Sequence, residues 1–205
     1  LEKEIDAKQY TIARATVDTM MGISTYYKNY RNIGDSYFDY GIIEKGLGNK
    51  QAMIQYLKTS VDYYLKASAY KAAGKSYFII GQTYYELKDE SQALENYKQS
   101  LLLREKASDS LGIANSSVNI GALVYKTGDY AQASNYYFRA LTLAQKLNND
   151  KLRAVCLSNL SHLSNKMNNY GQSLEYLNEA LVLQRKLGNR LAESSILTNF
   201  GTTYI

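Results

Sequence analysis

Proline is absent from all 205 residues, and cysteine and histidine occur once each, as Cys156 and His162. Without proline, nothing in the chain is built on rigid turns or extended proline-rich linkers, and the reading shifts towards helices. A lone cysteine closes no internal disulfide, so no such staple holds the fold. One histidine cannot build a histidine-rich metal site, and there are no paired cysteines, no HExxH and no glycine-rich phosphate loop. Aspartates and glutamates are plentiful, but no two recur in the fixed relation of a catalytic carboxylate pair. Neither an enzyme, a cofactor nor a metal is expected. No run approaches the roughly eighteen apolar residues of a membrane span, so this segment is not expected to insert into a bilayer. The net charge of +5 comes from 24 basic and 19 acidic residues. The basic ones are scattered rather than gathered into a phosphate-tracking stripe, so no nucleic-acid partner is expected.

What is present is a hydrophobic fraction of 45%, enough for a substantial core, and 21 tyrosines. The sequence is also periodic. The segments "YFIIGQTYY" from Tyr77, "SVNIGALVY" from Ser117, "LSNLSHLSN" from Leu157 and "LTNFGTTYI" from Leu197 each begin forty residues after the last. A column of small residues runs Gly41, Gly81, Gly121, Ser161, Gly201, and a second register aligns "QALENYKQSL" from Gln92 with "QASNYYFRAL" from Gln132 and "QSLEYLNEAL" from Gln172. Within each unit apolar residues recur at three and four, the helical period, as in Ala133, Tyr137, Ala140, Leu141 and Ala144, or Leu174, Leu177, Leu181 and Leu187. Polar turn signals such as "KTGDY" at Lys126 and "LGNR" at Leu187 fall between the stripes. Each unit is read as two antiparallel helices. The expected helices are about 31–46, 50–67, 70–86, 90–107, 110–126, 130–147, 151–166, 170–187 and 191–205, with another at about 10–28.

These residues resemble the tetratricopeptide repeat (TPR). Its pattern of a large residue, Leu-Gly, Tyr, then Ala, an aromatic and a small residue is carried by Tyr77, Ile80, Gly81, Tyr84, Ala93, Tyr97 and Ser100. The next unit supplies Ser117, Ile120, Gly121, Val124, Ala133, Tyr137 and Ala140. The usual repeat is about 34 residues long and closes its second helix with proline. Here that position reads Glu105, Gln145 and Arg185, so the second helix is free to continue. Long repeats of this kind are similar to those of kinesin light chains and of bacterial sensors and regulators. The resemblance implies an all-α fold: a right-handed α-α superhelix, or solenoid, of TPR helix pairs. It would contain four complete repeats, about 31–67, 71–107, 111–147 and 151–187, plus a flanking helix at each end. The ends, Leu1 and "TTYI", are those expected of a fragment of a longer protein.

The resemblance also implies a function: a protein or peptide segment bound in the concave groove lined by the first helices of the pairs. Carried over by motif position, the groove residues are Gln82 and Tyr85; Asn115, Asn119, Tyr125 and Lys126; Asn159, His162, Asn165 and Lys166; and Asn199. Asn119, Asn159 and Asn199 recur forty apart inside expected helices, where asparagine is disfavoured by about half a kcal/mol against alanine. Two roles fit this column. The amides could clamp a peptide backbone, for which they offer both donor and acceptor, or they could bond neighbouring helices. Lys45, Lys126 and Lys166 would make the groove mildly basic, suiting an acidic peptide or a free carboxylate. Alternatives to a stand-alone scaffold are a sensory or regulatory input region of a larger bacterial signalling protein, and homo-oligomerisation through the terminal helices, where Leu197 and Phe200 would be exposed.

Cys156 and His162 could suggest a reactive pair. On one helix they would point about 240° apart and lie about 9 Å apart along the axis, too far to pair. Column alignment puts Cys156 at a packing position with Ser76, Ser116 and Ile196, and His162 on the groove with Gln82, Ala122 and Thr202.

Overall fold

A computed structural model describes the backbone of residues 2–203 and the side chains of residues 9–201 and 203. The described residues form ten α-helices and no strand: α1 (Glu2–Tyr26), α2 (Tyr30–Gly46), α3 (Lys50–Lys66), α4 (Tyr70–Glu86), α5 (Glu90–Lys106), α6 (Ser110–Lys126), α7 (Tyr130–Lys146), α8 (Asp150–Lys166), α9 (Tyr170–Lys186) and α10 (Arg190–Thr203). The first helix starts at Glu2 rather than near residue 10. The opening "EKEIDAKQ" has no apolar stripe to mark it, but glutamate, lysine, alanine and glutamine are good helix formers and need none. At the other end, the expected helix 191–205 includes Tyr204 and Ile205, which lie outside the described residues.

Each helix from α2 to α9 is 17 residues long. Every junction passes through a residue at positive φ: Lys28, Gly48, Ser68, Lys88, Ser108, Gly128, Asn148, Asn168 and Gly188. Where the next helix is capped by a side chain, the acceptor is the residue after that one. Asn29, Asp89, Asp129, Asn149 and Asn189 take the backbone N–H of Asn32, Gln92, Gln132, Leu152 and Ala192. Each cap satisfies a donor that the first turn leaves without an intrahelical acceptor.

The chain groups into two compact units, Leu1–Asp109 and Ser110–Ile205. In the first, α2 pairs with α3 and α4 with α5, while α3 packs on α4 and α1 on α2. Its core is made of Met53, Ile54, Leu57 and Ile80, with Phe38, Tyr77, Ile79 and Tyr84 packed against them. A second cluster joins Val61, Tyr64, Ala73 and Leu103. The buried hydroxyls of Ser60 and Ser76 meet at 2.8 Å, and the Ser100 hydroxyl donates to the carbonyl of Gly74.

In the second unit α6 pairs with α7 and α8 with α9, α7 packs on α8, α9 on α10, and α6 also touches α8 directly. Ile120, Leu157, Leu160 and Leu177 fill the centre, and Ala133, Ala140, Ala144, Ala154 and Ala180 keep the helices close. Tyr97 and Tyr137, at the aromatic position of the repeat pattern, are buried, whereas Tyr176 is half-buried and accepts a hydrogen bond from Gln172. Leu187 also departs from its expected stripe. It is the residue just past the end of α9 and is exposed, because the helix stops at Lys186. On α10, Leu191 and Leu197 are exposed and Phe200 is half-buried.

Candidate functional site

Helices α6 and α8, the first helices of the two pairs in the second unit, carry most of the candidate residues. Asn115, Asn119, Ala122 and Lys126 follow one another at helical spacing along one face of α6, and Asn159, His162 and Lys166 do the same on α8. Between the two helices lies an open cavity of about 320 Å³, lined by Ala122, Tyr125, Lys126, Asn159 and His162, with Tyr137 of α7. Four sequence-predicted residues, Tyr125, Lys126, Asn159 and His162, therefore come together in one place. Asn115, Asn119, Asn165, Lys166 and Asn199 do not line this cavity, and Gln82 and Tyr85 belong to the other unit, where both are exposed on α4.

The asparagine column is not uniform. Asn119 donates its side-chain amide to the carbonyl of Asn115 in its own helix, at 3.0 Å. Asn199 approaches Nε2 of His162 at 3.4 Å, a long contact between α10 and α8. Asn159 is half-buried at the cavity, with no hydrogen bond from its side chain among the described residues. Asn165, expected to face a ligand, instead donates to Thr203 Oγ1 at 2.9 Å, and its own amide oxygen is buried without a partner. Upstream, the same column reads Asp39 and Ile79.

Electrostatics separate the faces. In the second unit the shifts at the cavity favour the neutral forms of His162, Tyr137 and Tyr125. Desolvation lowers the pKa of His162, which lines the cavity although the side chain as a whole is exposed. Burial raises the phenol of Tyr137, helped by Tyr125 and Cys156, and burial raises that of Tyr125, helped by Tyr130, whose ring lies 5.5 Å away. In the first unit the corresponding face carries carboxylates. Burial and the neighbouring Asp35 raise the pKa of Asp39, while Lys75, stacked 4.5 Å above the ring of Phe38, pulls it down. The expectation of a mildly basic groove does not describe that face.

Cys156 is fully buried, and burial pushes its thiol up to about 12, so no nucleophile is available there. Among the described residues no cluster of histidine, cysteine, aspartate or glutamate could hold a metal ion, and no helix is long and apolar enough to cross a membrane. The residue missed by sequence reasoning is Tyr137. Its ring has core spacing and is 3% exposed, yet the residue lines the cavity.

Profiles described as tetratricopeptide repeat match residues 72–146 and 153–189, together more than half of the chain. No curated protein matches it. Among solved structures it is similar to BtubC (BKLC) from P. vanneervenii, at 15% identity and a TM-score of 0.80 over 97% of this chain and 83% of that one. It is also similar to the apo form of RapI, at 16% identity and a TM-score of 0.85, covering 97% of this chain and 55% of that one. A candidate kinesin light chain of Podosopora anserina with nearly identical TPR-like repeats matches at 15% identity and a TM-score of 0.63, over 89% of this chain and 90% of that one. Likeness at such low identity speaks for the fold alone.

Proposed function

The chain is a tetratricopeptide repeat protein, and on that premise we propose that it is a non-catalytic scaffold that binds an extended segment of a partner protein along the first helices of its pairs. The observation that carries the proposal is the convergence of Tyr125, Lys126, Asn159 and His162 on one open cavity between α6 and α8. A face built to recognise a segment of chain needs an apolar recess with a few fixed polar groups, and these residues supply both. Asn159 is the rung best suited to a peptide backbone, because its amide has donor and acceptor uncommitted among the described residues. One such contact contributes about 0.5–1.5 kcal/mol.

Selection of peptides from a random displayed library, followed by calorimetric titration, tests the reading. Selected peptides are expected to lose about three- to tenfold in affinity with Asn159→Ala and to be indifferent to Lys98→Ala on the exposed side of α5. Peptides that bind Asn159→Ala and His162→Ala as tightly as the parent chain would remove the cavity from the binding face.

A further inference from the structure

The Tyr137 hydroxyl, like that of Tyr97 one repeat earlier, makes no hydrogen bond among the described residues, but Tyr137 also lines the cavity. A buried phenol normally finds a hydrogen-bond partner. Tyr64, with the same 3% exposure, does so by donating to Asp35 at 2.8 Å. The Tyr137 hydroxyl has no partner among the described residues, and it is not among the polar atoms sealed from solvent. Since the residue lines the cavity while its ring is packed in the core, the hydroxyl is the part of it that meets the recess.

We propose that the cavity between α6 and α8 is a specificity pocket for one uncharged side chain with an apolar body and a hydrogen-bonding tip, a tyrosine of the partner segment, with Tyr137 reading the tip. This rests on the reading that the face binds a partner segment. A volume of about 320 Å³ is at the bottom of the range for ligand sites and suits a single large side chain. Ala122 and the ring of Tyr125 offer apolar wall. The polar groups are a phenol, the Asn159 amide and the His162 imidazole, and Lys126, the one cation at the wall, already has an interaction within the protein. An aliphatic tip would cover the Tyr137 hydroxyl and leave it unpaired, a cationic tip would lose its hydration to groups that carry no negative charge, and a carboxylate would have to compete with the interaction that Lys126 already makes. A phenol gives and accepts a hydrogen bond and asks for none of these compromises.

The test uses side-chain stand-ins on the whole chain: p-cresol, toluene, propionate and propylamine, followed by NMR on the ring of His162, the only histidine in the sequence. The expected result is saturable p-cresol binding that shifts His162, about three- to tenfold tighter than toluene, with both ions weaker. In Tyr137→Phe the preference for p-cresol over toluene should vanish while toluene binding and the melting temperature persist, because no internal hydrogen bond is lost. A preference that survives Tyr137→Phe, propionate binding more tightly than p-cresol, or no aromatic shifting His162 would each overturn the proposal. The two readings fail separately. Library peptides that need Asn159 but are not displaced by p-cresol leave the scaffold without this pocket specificity. A pocket that takes p-cresol in a chain that selects no peptide leaves the pocket without the scaffold reading.

Discussion

The ring of Tyr97 occupies the space that a side chain at position 81 would need: a Cβ on Gly81 would sit 2.8 Å from Tyr97 Cδ1 and 3.2 Å from the carbonyl oxygen of Ala93. One repeat later the same relation holds between Gly121 and Tyr137, again at 2.8 Å. In the following repeat both partners change together. Leu177 replaces the tyrosine, and Ser161 replaces the glycine and turns its hydroxyl to Ser173 at 2.8 Å.

Gly81→Ala is therefore expected to destabilise the chain by about 1–2 kcal/mol net. The overpacking costs about 1–3 kcal/mol, and the better helix propensity of alanine returns up to about 1. Tyr97→Leu in the same chain should shrink the penalty of adding the methyl group only in part: the Ser161–Leu177 pair accommodates a Cβ, but one on Gly41 would still sit 2.9 Å from Leu57 Cγ in the same columns. Urea midpoints of the two single variants and the double variant give the coupling directly.

Asn159→Ala should raise the melting temperature, because it removes a poor helix residue and no hydrogen bond within the described residues. Asn119→Ala should gain less, because it gives up the bond to the carbonyl of Asn115. Calorimetric scans of both variants make the comparison. A lower melting temperature for Asn159→Ala would mean that the amide is structural.

The only histidine makes the pH response simple to follow. Its folded pKa is lowered by desolvation, so the folded state binds protons less readily than the unfolded one. Its contribution to stability is present above the unfolded histidine pKa of about 6.5 and is lost as pH falls through the folded value. An NMR titration of His162 should give a midpoint below that of a histidine in an unfolded peptide, and His162→Gln should flatten the decline in stability over the same range.

Cys156 should resist Ellman's reagent in the native chain at pH 8 and react fully in denaturant. It is fully buried, with a thiol raised to about 12, so the thiolate is both scarce and shielded. Rapid reaction in the native chain would place it at the surface.

The forty-residue columns make the helices and their inward faces legible, because spacing reports which side of a helix a residue lies on. They do not report where along a side chain the surface falls. Tyr137 reads as core and is core for its ring, and only the packing around Gly121 brings it against the cavity wall as well. Nor do the columns distinguish the roles of identical residues. Asn119, Asn159 and Asn199 align perfectly, yet Asn119 turns its amide back to the carbonyl of residue 115 in its own helix and Asn199 reaches across to His162 of α8. The early start of α1 was hidden for the opposite reason: a helix with no apolar stripe leaves no period to read.

The turns repeat twice as often as the packing does, every twenty residues rather than every forty. They are alike whether the chain passes from a first helix to a second or back again, so which face each helix buries is left to the helix interiors. Of these corners only Gly48, Gly128 and Gly188 use glycine; lysine, serine or asparagine holds the left-handed conformation at the other six. Each such side chain forgoes on the order of 1 kcal/mol relative to an unstrained backbone. The array thus carries an adjustable thermal margin distributed along its edges, which loop substitutions could raise or lower by increments while the face between α6 and α8 is left untouched.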